Sequence, residues 1–130
     1  MKPPTSLPVL ALCLLLAGCG PHEEPARPAA GFSSATISVV DGKISRPVEV
    51  EVAFDGNARR LGLMYRQELA DGRGMLFLYP DRTTGGHWMA NTYIPLDVAY
   101  AAADGVIFEI IPGRPLDATI QDAGEPFVFV

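Results

Sequence analysis

Hydrophobic and polar positions alternate over several short runs of this chain. Val48, Val50, Val52 and Phe54 interleave with Glu49, Glu51 and Ala53, the period-two pattern of a half-buried strand. An earlier run over 36–40 leads into Asp41-Gly42, a hairpin signal, so these two runs are expected to follow one another as strands. Further strands are expected over 75–79, ended by Pro80, and over 97–101 and 106–111, which flank the turn sequence Ala102-Ala103-Asp104-Gly105. A last strand begins at Phe127. Only one segment has helical spacing. Leu61, Met64 and Tyr65 recur at i, i+3 and i+4, which predicts a helix over 57–67 with Asn57 as its N-cap. Gly62 weakens such a helix by about 1 kcal/mol relative to Ala, so its presence points to close packing against a sheet. The expected fold is mostly β (α+β), a small antiparallel β-barrel or sandwich-like domain with one short helix.

The first residues follow another pattern. An apolar stretch starts at Leu7 and closes on Leu16-Ala17-Gly18-Cys19. It is too short for a bilayer core, which needs about 20 apolar residues. It resembles the lipobox of bacterial lipoproteins, which implies a signal peptide over 1–18 and acylation of the Cys19 sulfur. The same resemblance implies an exported protein, lipid-anchored to the cell envelope and facing the periplasm. Gly20, where inner-membrane retention usually wants Asp, points to the outer membrane. Each buried methylene contributes about 0.8 kcal/mol, so one acyl chain holds marginally and two or more hold firmly. Segment 19–33, rich in Pro, Ala and charge, is expected to be a tether, with His22 solvated. The single domain is then 34–130.

Composition narrows the possibilities. Cys13 leaves with the leader and Cys19 carries lipid, so the domain has no thiol and must be stabilised by burial alone. About a hundred residues suffice for one core. The chain has 10 basic and 15 acidic residues; losing Lys2 leaves 9 against 15, a mature charge near −6. That balance argues against nucleic acid as a partner and against electrostatic docking on anionic lipid.

Three separated segments carry more than a core requires. They are Gly62-Leu63-Met64-Tyr65-Arg66, Gly74-Met75-Leu76-Phe77, and His87-Trp88-Met89-Ala90-Asn91-Thr92-Tyr93-Ile94-Pro95-Leu96-Asp97. In this order they resemble the domain of unknown function 192, a bacterial and archaeal family. The resemblance covers 37–130 and implies a mostly β, often exported domain with no activity to carry over. Leu61 stands where many relatives have Arg, and Ala90 where Lys is common. The family also continues beyond the last strand, which raises the expectation of a C-terminally truncated chain.

The polar residues of the third segment allow two readings. Asn91, Thr92 and Asp97 could simply bond loop amides around Pro95. Alternatively, a pocket floored by Trp88 and Met89 gathers Met64, Arg66, Trp88, Asn91, Thr92 and Asp97 around a small ligand or partner. Arg66 is either solvated or paired with Asp97, whose carboxylate suits the guanidinium fork. No hydrolase elbow, zinc-protease helix, cysteine pair or phosphate loop is present, and nothing points to a cofactor. A hydrolase built on Thr92, His87 and Asp97 is an alternative, although residues so close in one loop rarely reach relay geometry. Another is copper(I) binding by His87 and Met89 with Met64 and Met75, against which Met at core positions is ordinarily packing material. The sequence therefore favours a non-catalytic accessory or binding module.

Overall fold

A computed structural model of the chain describes residues 32–130. The signal peptide, Cys19 and nearly all of the tether lie outside the described residues. Within them, β1 (Ser33–Asp41) and β2 (Ile44–Ala53) form an antiparallel hairpin in register from Ser33↔Val52 to Asp41↔Ile44. Gly42, at φ 58°, takes the first central position of its two-residue turn, a backbone region that glycine enters without a Cβ penalty.

Helix α1 (Gly56–Leu61) is shorter than the sequence predicts. Asp55, not Asn57, is its N-cap, and its carboxylate accepts from the Ala58 N–H at 2.8 Å. Gly62 stops it: φ 48°, ψ −133° is open essentially to glycine alone, and its N–H closes on the Ala58 carbonyl. The expected packing against a sheet is present, since a Cβ on Gly62 would lie 2.9 Å from Phe77 Cζ.

β3 (Arg73–Thr83) returns from this crossover parallel to β2, pairing Glu49–Ala53 with Arg73–Phe77. The sheet is therefore mixed rather than wholly antiparallel. Pro80 does not end β3. It sits in the irregular stretch between the Leu78↔Phe129 and Thr83↔Phe127 pairs, where a missing N–H breaks no ladder bond. β5 (Leu96–Ala101) and β6 (Ile107–Gly113) form the expected hairpin, and β8 (Phe127–Phe129) inserts between β3 and β5. The six-stranded order β1-β2-β3-β8-β5-β6 leaves β1 and β6 as unjoined edges, so no barrel closes. The other half of the fold expectation stands: the domain is mostly β and sandwich-like.

A ribbon that the periodicity did not predict, β4 (Gly86–His87) with β7 (Gln121–Asp122), lies beside this sheet. Its two strands approach so closely that a Cβ on Gly86 would fall 1.8 Å from the Gln121 carbonyl oxygen. Tyr100, Ala123 and Phe127 form the buried centre, flanked by Tyr79, Val98, Phe108, Ile111 and Val130. The Tyr100 hydroxyl accepts from the His87 N–H at 2.8 Å and donates to the Gln121 carbonyl at 2.7 Å, so a fully buried phenol joins β4 to β7.

Candidate functional site

A cavity of about 700 Å³ opens between α1 with its following turn, the first half of β3, the 86–92 loop and the start of β5. That volume is in the range of small-molecule sites. Four of the six residues expected at a site line it: Met64, Trp88, Thr92 and Asp97. His87, Met89 and Met75 line it as well. Arg66 and Asn91 do not.

Arg66 is turned elsewhere. Its guanidinium grips Glu51 of β2 through two bonds of 2.5 and 2.6 Å and lies 5.9 Å from the Phe32 ring, so it is neither solvated nor paired with Asp97, the two readings the sequence allowed. The Arg66 side chain is only 9% exposed and that of Glu51 30%, which makes this a partly desolvated pair. Asn91 acts through its backbone. It adopts φ 56°, a conformation that suits Asn better than most side chains, and its carbonyl accepts from the Tyr65 N–H at 2.8 Å.

Thr92 is buried, and its hydroxyl donates to the Ala90 carbonyl at 3.3 Å. Its own carbonyl accepts from Leu116, and the Met89 N–H donates to the Asp117 carbonyl, so the 114–117 segment braces this wall. Met89 is buried with its sulfur packed over Gly113, where a Cβ would meet Sδ at 2.6 Å. Trp88, by contrast, is half exposed at the cavity margin rather than forming its floor.

His87 lies in an aromatic enclosure of Phe77, Tyr79, Tyr100 and Phe127, with ring centroids 5.0 to 6.2 Å away. Its Nε2 is 3.1 Å from the Tyr79 hydroxyl, while the buried Nδ1 has no hydrogen-bond partner. Burial lowers its pKa to about 4, so the ring is neutral at pH 7. Burial also raises the pKa of Tyr79, against the lowering influence of the nearby Arg59 guanidinium, and raises that of Tyr100. Among the described residues no hydrogen bond joins His87 to Thr92 or Asp97, so the three do not assemble as a relay. No group of three His, Cys, Asp or Glu capable of holding a metal occurs among the described residues.

Arg59 and Tyr79 were not anticipated. Arg59 donates to the Phe54 and Leu78 carbonyls and stacks 4.7 Å from the Tyr79 ring, which fixes a positive charge in the cavity wall. Neither residue belongs to the three sequence segments, and only their approach across α1 and β3 reveals them.

The family model for the domain of unknown function 192 (DUF192, described as an uncharacterised ACR) matches residues 36–130. The chain belongs to this family. Two solved structures are similar to this DUF192 domain. One is a Sinorhizobium meliloti protein provisionally described as a transcription regulator, 33% identical, with a TM-score of 0.74 over 76% of this chain and 78% of that one. The other is a Novosphingobium aromaticivorans protein of unknown function, 32% identical, with a TM-score of 0.70 over 79% and 74%. Among proteins with curated descriptions none matches. In this DUF192 domain all three segments that carry the family resemblance converge on the one cavity. Gly62, Leu63 and Met64 come from the first, Gly74, Met75 and Phe77 from the second, and Trp88, Met89, Thr92 and Asp97 from the third.

Proposed function

We propose that this DUF192 protein is an envelope lipoprotein, tethered to the membrane through Cys19, whose domain binds a small, largely apolar molecule in the cavity without transforming it. The supporting observation is that convergence: three segments far apart in sequence meet around a space of ligand size. Met64, Trp88, Thr92 and Asp97 are the proposed contacts, while Asn91 and Arg66 hold the surrounding turns. The lipobox ending at Cys19 supports export, anchoring and a periplasm-facing position, with the outer membrane favoured by Gly20. The regulator description belongs to the Sinorhizobium protein. A chain of net charge −5 gives little reason to extend it to DNA binding here.

Two measurements test this reading. Mass spectrometry of the mature N-terminus should find Cys19 acylated, and fractionation should recover the protein with membranes. Titration with the neutral dye Nile red should produce saturable binding that shifts the emission of Trp88, the chain's one tryptophan. Unmodified Cys19 would remove the anchor, and dye uptake without saturation would remove the cavity.

One observation favours a second reading. His87, Met64, Met75 and Met89 all line the same cavity, an imidazole and three thioethers of the kind that select copper(I). Copper(I) titration against a competing chelator decides it. Equal affinity in Met64→Ile, His87→Ala and the unmodified chain would eliminate this reading.

A further inference from the structure

The cavity's charge has the opposite sign to the chain's. The protein carries 15 acidic and 10 basic residues, yet the charged side chains lining the cavity are Arg59, Arg60 and Arg73 against Asp97. These cations differ in availability. Arg73 is drawn to Glu49 at 2.8 Å in an exposed pair, and Arg59 is committed to two backbone carbonyls without a carboxylate to neutralise it. Arg60, exposed in the last turn of α1, has no hydrogen-bond or ion-pair partner among the described residues. One fixed, uncompensated charge and one free guanidinium fork thus stand together on the α1 side. Apolar side chains make up much of the remaining wall, Met64, Met75, Phe77 and Trp88 among them.

Resting on the binding function proposed above, we infer that the cavity's ligand is an anionic amphiphile: a carboxylate head met by Arg60 within the field of Arg59, and an alkyl tail along the methionine and aromatic wall. A guanidinium fork matches a carboxylate in two parallel hydrogen bonds, and unbranched methionines adapt to a flexible chain. Asp97, contributed by β5 rather than α1, disfavours a second anionic end. This explains why a protein whose overall charge repels anions would gather arginines around an apolar space.

The test follows Trp88 emission in the full chain carrying Cys19→Ser, which removes the acylation site. Decanoate, decanol and decyltrimethylammonium are titrated below their micellar concentrations, with hexanoate as the short-chain probe. Decanoate is expected to bind roughly three- to tenfold more tightly than decanol, the gain of an ordinary hydrogen bond, since exposure of Arg60 screens the charge. Each methylene lost towards hexanoate is expected to weaken binding by up to about fourfold. Arg60→Gln should bring decanoate down to the decanol value, whereas Arg46→Gln on the β1–β2 hairpin should leave it unchanged. Equal binding of decanoate and decanol, untouched by Arg60→Gln, would overturn the anionic head while preserving an apolar site. Tightest binding of the ammonium would overturn it in favour of Asp97. If none of the four binds, both this inference and the underlying binding function fail.

Discussion

Acidification provides a direct test of the enclosure around His87. In the folded chain its pKa is lowered to about 4 by burial, against 6.5 for an unhindered histidine. Between those values the unfolded chain takes up a proton that the folded chain refuses, so folding stability is fully present above pH 6.5 and declines as pH falls towards 4. The slope approaches about 1.4 kcal/mol per pH unit in the middle of the window, and the accumulated loss is on the order of 3 kcal/mol. That is a large share of the 5–15 kcal/mol typical of a domain. The groups facing the ring are Tyr79 and Tyr100, both with pKa values raised by burial, so neither carries charge that could offset the effect at acidic pH.

Urea unfolding at pH 7.0, 6.0, 5.0 and 4.5 should show the midpoint falling at constant m-value. His87→Phe should lose most of this dependence while keeping the aromatic packing. That variant forgoes the Tyr79 contact and is expected to be about 1 kcal/mol less stable at pH 7. Asp117, whose pKa is lowered by the Thr119 backbone hydrogen bond, adds acid sensitivity only below its usual 3.8 and so falls outside the window. An NMR titration placing the His87 midpoint near 6.5, or identical acid sensitivity in His87→Phe, would refute the reasoning.

Further substitutions at five positions separate the contacts that matter. Gly62→Ala combines a backbone region closed to alanine with a Cβ 2.9 Å from Phe77, and should lose at least about 2 kcal/mol by urea unfolding. Gly86→Ala should be more severe, because its Cβ meets a carbonyl oxygen at 1.8 Å instead of a movable ring; hydrogen exchange should reveal β4 and β7 detached. Arg66→Met leaves Glu51 without its bidentate partner and should destabilise by about 1–3 kcal/mol, while Arg73→Gln, at an exposed pair, should change stability by less than about 0.5 kcal/mol. Asn91→Gly should be close to neutral and Asn91→Ala about 1 kcal/mol destabilising, both judged by thermal melting, since φ 56° is what the position requires.

What the sequence revealed was local. The β1–β2 and β5–β6 hairpins were legible because register and turn lie within one short stretch, where alternating valines and Asp-Gly or Asp104-Gly105 signals agree. The parallel return of β3 and the insertion of β8 between β3 and β5 were not, because pairing across a long loop leaves no periodic trace in either strand. The ribbon of β4 and β7 has two residues per strand, too few for any alternation. At the site, residue types identified Met64, Trp88, Thr92 and Asp97 as unusual, and the fold brings those four together. The partner of Arg66, which the sequence left either solvated or paired with Asp97, was hidden for a related reason. Glu51 lies 15 residues upstream, and only the crossover from β2 through α1 swings Arg66 back to it.

The Arg66–Glu51 pair helps to explain how the cavity is built. A helix continuing to Gln67 would commit Met64 and Tyr65 to the next helical turn. Gly62 ends α1 instead, and Tyr65 at φ 64° turns the chain again, so that its N–H reaches the Asn91 carbonyl and its ring meets Tyr93 edge-on at 6.4 Å. One residue further on, Arg66 closes on Glu51, tying the same turn to β2. The C-terminal end of the first segment therefore carries two ties, Tyr65 to the third segment through Asn91 and Arg66 to the sheet through Glu51, and Met64, which lines the cavity, immediately precedes them. Asn91 and Arg66 are absent from the lining because they fix the frame around it. Loss of Arg66, or a residue at position 91 that cannot hold φ 56°, should loosen the wall that carries Met64, whereas loss of Asp97 or Arg60 should alter what binds and leave the wall standing.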